Sequence, residues 1–307
     1  MIRKNELFPI GIGAWGIGGF AEKDPNNNDQ KQIRALAYSL KRGMNFIEIN
    51  FWNSQGKSVE LIADAIKTSK IPRKELFLTL VIYSYNLPTL KDVKYEINKY
   101  FELFETDCMD TLEFTLPNFP VYGFKESANF IEGYLAKSKA RFTSLTNSNL
   151  DYLKKFHKIF KDKVFSHEMH FSFEVRVNED LGITSYAQEN GILNVPYQPL
   201  RRNRTAKRNW PLLVELAKKY GKTQNQIILN WLNWKKFVPL VKSEDKEHID
   251  ENLDALNFAM ESEDYKKIDT FRVPGYKTRE IDWFQEGKRG EKIHMLPNII
   301  DDILDGK

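Results

Sequence analysis

Apolar positions along the chain follow two periods that take turns. Around Ile33, Leu36, Ala37 and Leu40 they fall at i, i+3, i+4 and i+7 and stop at Gly43, which predicts an amphipathic helix closed by glycine. A short run from Asn45 to Asn50 follows at once and predicts a strand. The alternation then recurs. Strands are predicted from Glu75 to Val81, Thr111 to Leu116, Arg141 to Thr146, Val164 to Ser172, Ile192 to Gln198 and near Val238 to Val241. Between and after them the helical period predicts helices from Leu90 to Glu105, Lys125 to Ala136, Leu150 to Phe160, near Glu179 to Gln188, Pro211 to Tyr220, Gln224 to Trp234 and through Asn252. A βα series with no domain-scale break predicts one domain over residues 1–307, a (β/α)8 TIM barrel of parallel strands.

Composition narrows the setting. With 41% hydrophobic and 29% charged residues the chain can bury a large core. It has no run near the roughly 20 apolar residues of a membrane span. The opening Met1-Ile2-Arg3-Lys4-Asn5-Glu6 lacks the apolar stretch of a signal peptide, so a cytoplasmic location is expected. Lys and Arg number 46 against 42 Asp and Glu, a balance that predicts neither a nucleic-acid nor a membrane partner. Cys108 is the only cysteine, which excludes an internal disulfide and a thiolate metal cluster, and no metal is expected. One run stands out: Arg201, Arg202, Arg204, Lys207 and Arg208, directly after Tyr197-Gln198-Pro199-Leu200. In such a barrel this is the loop leaving the seventh strand at the catalytic face, where anion sites are often built. A solvated loop without a ligand explains it equally well.

Five motifs run in order along nearly the whole chain. They are Gly11-Ile12-Gly13-Ala14-Trp15-Gly16-Ile17-Gly18-Gly19, Phe46-Ile47-Glu48-Ile49-Asn50, Ser58-Val59-Glu60-Leu61-Ile62-Ala63-Asp64-Ala65-Ile66, Arg141-Phe142-Thr143-Ser144-Leu145-Thr146-Asn147, and Lys242-Ser243 followed by His248-Ile249-Asp250-Glu251-Asn252. In this order and spacing they resemble the signatures of the aldo-keto reductase superfamily. The resemblance implies a (β/α)8 barrel that moves hydride from NADPH or NADH to a carbonyl. It also implies a Tyr that donates the proton, a Lys and an Asp that tune its acidity, and a His that orients the substrate.

Carried onto this chain residue by residue, the catalytic set departs from the family. The Tyr position falls on Asn53, or on Trp52 after a slip of one residue, and neither is a titratable acid. The Lys position falls on Val81, with Leu80 as the slipped alternative, and neither is charged. Asp110-Thr111-Leu112-Glu113-Phe114-Thr115-Leu116-Pro117 resembles the segment that carries the His and puts Thr115 there. Glu48 alone keeps its chemical class. Standard carbonyl reduction is therefore not expected.

For the cofactor the resemblance implies Tyr197 stacked on the nicotinamide and Asn147 on its carboxamide. It implies Lys242, Ser243 and Asn252 around the adenosine, and the Arg201 loop over the pyrophosphate. Glu168 lies where His167-Glu168-Met169-His170-Phe171 replaces Asn-Gln-x-Glu-Tyr, and as a carboxylate it accepts hydrogen bonds without donating them. His248 stands at the usual Arg and is mostly neutral at pH 7, so selectivity for a 2′-phosphate should weaken. NADP and NAD both remain open, beside the reading in which Tyr197 is packing, Lys242 a surface charge and Asn252 a helix residue.

The two-residue period of a strand adds a rival constellation. If Thr115 points inward, so does Glu113, and Glu168 shares a face with His170. With Glu48 this gathers three carboxylates and an imidazole, raw material for acid/base chemistry. His167 and His170 fall on opposite faces, which is wrong for shared metal ligation. Tyr83 and Tyr85, just past the third strand, are candidates for a relocated proton donor or for aromatics lining a pocket. At the ends, the few residues before Pro9-Ile10-Gly11 predict a shortened N-terminal cap, and residues 272–307 a C-terminal extension. In that extension the resemblance implies Trp283 at the pocket, and Ile299, Ile300, Ile303 and Leu304 suggest a packing helix.

Three functions follow. The first is a nucleotide- or ligand-binding pseudoenzyme, for which a protein partner or a homo-oligomer is the candidate assembly. The second is an NAD(P)-dependent oxidoreductase whose proton comes from Glu48, Tyr83 or the substrate. The third is a non-redox lyase or isomerase using Glu48, Glu113, Glu168 and His170. Each takes a small-molecule ligand, and nothing in the chain names it.

Overall fold

Strand and helix alternate from Gly11 to Thr270 in the computed structural model, which describes residues 2–274. The order is β1 (Gly11–Ile12), α1 (Asp29–Lys41), β2 (Phe46–Ile49), α2 (Lys57–Ser69), β3 (Phe77–Ile82), α3 (Leu90–Leu103), β4 (Met109–Thr115), α4 (Asn118–Tyr122), α5 (Phe124–Ala136), β5 (Ala140–Thr146), α6 (Leu150–Phe160) and β6 (Val164–His170). Then come α7 (Val177–Asp180), α8 (Ile183–Glu189), β7 (Leu193–Tyr197), α9 (Arg204–Lys207), α10 (Pro211–Tyr220), α11 (Gln224–Trp234), β8 (Leu240–Val241), α12 (Lys246–Asp254) and α13 (Ser262–Thr270). Trp283 and the expected helix near residue 299 lie outside the described residues.

The eight strands pair in parallel in the order β7-β6-β5-β4-β3-β2-β1-β8. Val238, just before β8, donates its N–H to the Asn194 carbonyl of β7 at 3.0 Å, which brings the two edges together and nearly closes a (β/α)8 barrel. Alternation along each strand sorts the side chains. In β3, Leu78, Leu80 and Ile82 face outward into the core shared with the helices, while Phe77, Thr79 and Val81 face the barrel interior. The helices start on side-chain caps: Asn28 for α1, Thr89 with Asp92 for α3, Asn149 for α6 and Thr223 with Gln226 for α11.

The lower end is filled by four rings, Phe46, Phe77, Phe142 and Phe165, whose centroids lie 4.4 to 6.5 Å apart. Beneath them the short N-terminal segment is the cap. The Lys4 ammonium sits 5.1 Å from the centre of the Phe165 ring and donates to the Phe165 carbonyl at 3.2 Å and to that of Gly191.

Three elements differ from the periodic reading. The single helix expected from Glu179 to Gln188 is two, separated at Gly182 in a left-handed conformation (φ +73°). The sixth strand ends at His170, because Ser172 turns the chain by accepting the N–H groups of Glu174 and Val175 on its Oγ. The eighth shrinks to two residues after Pro239, which has no N–H to give a ladder. Among the described residues no helix is long and apolar enough to cross a membrane.

Candidate functional site

A cavity of about 660 Å³ opens at the C-terminal ends of the strands, the face on which barrels of this type build their sites. Its inner end is acidic. Glu48 of β2 accepts the Ala14 N–H at 3.1 Å and the Asn50 amide at 2.6 Å. Glu168 of β6 is 2% exposed and lines the cavity, and its Oε2 has no hydrogen-bond partner. Glu113 of β4 lies deeper, accepting the hydroxyls of Thr79 at 3.2 Å and of Thr146. Burial raises all three carboxyls, Glu113 to about 8 with a contribution from Glu48, and Glu168 well above its ordinary value with contributions from Glu48 and Glu113. Burial therefore favours the protonated form of Glu113 and of Glu168.

The imidazoles stay neutral there. His170 stacks on Tyr197 at 5.4 Å and 9°, His167 faces away and accepts the Ser148 N–H at 3.2 Å, and burial lowers both to about 4. Tyr197 in turn donates its hydroxyl to Asn147 at 2.9 Å, and Asn147 is held in a left-handed conformation (φ +57°) with its N–H on the Glu168 carbonyl. Glu113, Glu168 and Glu48 are thus gathered as the strand period predicts, whereas His170 pairs with an aromatic ring.

The positions expected to carry standard chemistry are neutral. Asn53 lines the cavity and is held by the Asn50 side chain at 2.8 Å. Val81 and Thr115 are fully buried and do not line it. Thr115 donates to Asn118 at 3.0 Å, and Asn118 reaches the Ile82 carbonyl at 2.8 Å, so this pair fixes the turn after β4. Tyr83 lines the cavity, but burial together with Glu48 and Glu168 pushes its phenol well above the ordinary value, away from a useful acid.

The outer end mixes charges. Lys242 donates to the Gly16 carbonyl at 2.9 Å and to Glu244 at 2.6 Å, with Ser243, His248 and Asn252 beside it on the cavity wall. His248 is well exposed, 3.7 Å from Asp245. The basic run after β7 is not a uniform anion surface. Arg201 is 3% exposed and pairs with the fully buried Glu174, which also accepts from Thr205 at 2.8 Å, Trp210 at 2.7 Å and Arg208 at 3.3 Å. Arg202 instead lies 4.6 Å above the Phe20 ring and so joins the loops after β7 and β1 at the cavity mouth.

The family model described as Aldo/keto reductase family matches residues 9–272. The chain belongs to this family. An uncharacterized oxidoreductase of Bacillus subtilis, YtbE, is 25% identical over 261 residues, covering 83% of this chain and 87% of that protein. A thermostable aldo-keto reductase solved with the inhibitor epalrestat superposes with a TM-score of 0.77 at 27% identity, covering 86% of this chain and 94% of that one. An aldo-keto reductase from Klebsiella pneumoniae, solved in complex with NADPH, has the same fold with a TM-score of 0.75 at 18% identity, covering 90% and 95%.

Several cavity residues of this aldo-keto reductase family member escape sequence reasoning. Trp15 and Trp52 stack at 5.6 Å and 14°, and Trp52 packs against Tyr83 at 5.7 Å and Tyr85 at 5.4 Å. Gln32 bridges the Gly18 N–H at 2.8 Å to Glu244 at 2.7 Å. Glu174, which does not line the cavity but holds the loop that does, is the least legible, since its four donors come from a distant part of the chain; its signal is a lone carboxylate within Phe171-Ser172-Phe173-Glu174-Val175. Among the described residues no group of three His, Cys, Asp or Glu side chains is arranged to hold a metal ion.

Proposed function

We propose that this aldo-keto reductase family member binds a nicotinamide dinucleotide and does not carry out tyrosine-dependent carbonyl reduction. The observation that carries the reading is one continuous cavity with a divided lining. Asn147, Glu168, Tyr197, Lys242, Ser243, His248 and Asn252 share it with Glu48 and Asn53, while Asn53, Val81 and Thr115, the residues expected at the Tyr, Lys and His positions, are not groups that supply a proton near neutrality. When bound, the dinucleotide supplies a hydride donor.

The residues present fit such a group in a particular protonation state. A neutral carboxyl presents one O–H donor and one acceptor oxygen, much as a Gln amide presents both roles. Burial favours the protonated form of Glu168, and its partnerless Oε2 belongs to a side chain on the cavity wall, so in that form it can serve a carboxamide in both directions beside Asn147. Glu244 and Glu251 on the wall, with an exposed His248 in place of a fixed cation, disfavour a 2′-phosphate. NADH is therefore the preferred form.

One observation favours a second reading, an oxidoreductase with an altered acid: the protonated Glu168 carboxyl is itself a proton donor at the cavity wall. Titration with NADH and NADPH, followed by nicotinamide fluorescence and thermal stability, tests the first reading. Binding raises stability by about 2.7 kcal/mol at 100-fold excess over Kd. Absence of binding by both overturns it.

A further inference from the structure

The inner end of the cavity has an unbalanced chemistry that a dinucleotide engages only at Glu168. Trp15, Trp52, Tyr83 and Tyr85 pack on one another with centroids 5.4 to 5.7 Å apart and all four line the space. Glu48 and Glu168 line it too, with Glu113 behind them. The barrel positions that neighbour these carboxyls in the ladders, Thr79, Val81 and Thr146, carry no charge. The cations on the cavity wall, Lys242, Arg201, Arg202 and Arg204, come from the segments after β7 and β8. Three buried polar atoms here lack hydrogen-bond partners: Oε2 of Glu168, Nε2 of His170 and Nε1 of Trp15.

We propose that this inner end binds an organic ammonium group, a protonated or quaternary amine, between the aromatic wall of Trp15, Trp52, Tyr83 and Tyr85 and the carboxyls of Glu48 and Glu168. Aromatic faces attract such cations through their quadrupole, most strongly when the site is desolvated, and Trp is the best of them. A carboxylate supplies the compensating charge that a buried cation requires. Without a cation beside them, burial favours the protonated carboxyls, which need no counter-ion. An anionic ligand would meet three acids and no cation from these strands.

Proton linkage follows from the groups around the site: Glu48 on β2, Glu113 on β4, Glu168 and His170 on β6, Tyr197 on β7, and Tyr83 and Tyr85 after β3. The imidazole of His170 is neutral above about 4, and burial raises the three phenols, so only the shared carboxyl protons respond near neutrality. An entering ammonium drives out one of them, and its binding tightens as pH rises. The proposal goes beyond the dinucleotide reading and does not depend on it.

The test is calorimetric titration of the full chain with choline and benzyltrimethylammonium, against the neutral isostere 3,3-dimethylbutan-1-ol, at about pH 6 and about pH 8. The expected result is a preference of about tenfold or more for at least one ammonium over the alcohol, increasing with pH and accompanied by proton release. The variants Glu168→Gln and Glu48→Gln are run separately, each checked for a native melting transition. Either should reduce the preference, and Trp52→Phe should reduce it less. Equal affinity for ammonium and alcohol, no binding of either ammonium, or a preference unchanged in both glutamine variants overturns the proposal. The titration is run without dinucleotide, so failure of NADH to bind leaves its result intact.

Discussion

Glu168 illustrates how much one side chain's protonation state decides. Read as a carboxylate, it only accepts; burial, reinforced by Glu48 and Glu113, favours its protonated form, which can take the dual role of an amide. A folded-state pKa raised above the ordinary carboxylate range means that this dual role is present at low pH and is lost as pH rises through the raised value. NADH binding should therefore weaken with rising pH, opposite in sign to ammonium binding, and Glu168→Gln should bind NADH at least as well with that dependence removed. Titrations over the pH range in which the fold is retained check this, and a wild-type affinity that rises with pH contradicts it. At this scale the sequence was informative wherever a residue's place followed from a motif or from the strand period. Glu48, Asn53, Glu168, His170, Tyr197 and Asn252 all line the cavity. It was uninformative about partners. Nothing local reveals that Arg201 is turned onto Glu174 or that Thr115 is engaged by Asn118.

The segment from Tyr197 to Pro211 supplies one wall of the cavity, through residues 197–204. Glu174 anchors it from the turn after β6 by accepting from Arg201, Thr205, Arg208 and Trp210. Removing the carboxylate leaves the buried Arg201 without it, a change that costs about 3–5 kcal/mol in comparable sites. Glu174→Ala should lower denaturation midpoints accordingly and increase amide exchange across residues 201–208, while exchange in the strands β2 to β5 changes little. Uniform loss of protection would show that Glu174 supports the whole barrel instead of this loop. The helices α10 and α11 match the sequence reading residue for residue, because Pro211, Gly221 and the Thr223 cap punctuate them. Edges set by distant contacts were harder to read: β8 is short beside Pro239, and α7 and α8 are separated by Gly182.

At the scale of the molecule, the barrel is a dry plug of four phenylalanines below and a polar, proton-holding interior above. Phe77 is fully buried in the plug, so Phe77→Ala should cost about 3–5 kcal/mol of stability, read from chemical denaturation. The upper interior ties stability to pH. Glu113 rises from 4.5 to about 8 on folding, so its contribution is complete below about 4.5 and is lost as pH climbs through about 8. His167 and His170 fall from 6.5 to about 4, so they oppose the carboxyls below 6.5 and drop out above it. Stability should therefore decline between about pH 6.5 and 8, by about 1.4 kcal/mol per pH unit for each extra proton the folded state holds, and Glu113→Gln should flatten the slope. The eight-fold βα alternation, the short lower cap and the family were legible in the sequence. The aromatic plug was not, because it arises from strands far apart in the chain meeting inside the barrel; the three carboxyls were, but their raised pKa values were not, because these depend on burial that no local pattern shows.

The most direct test saturates the protein with NADH, presents a panel of small aldehydes and follows the bound nicotinamide fluorescence over many minutes. The expected result is a bound signal that persists without oxidation, because under the proposed reading Asn53 stands where the tyrosine is expected and offers no acid to protonate the carbonyl. Oxidation at rates typical of enzymes, on the order of 1 to 10³ per second, would contradict it.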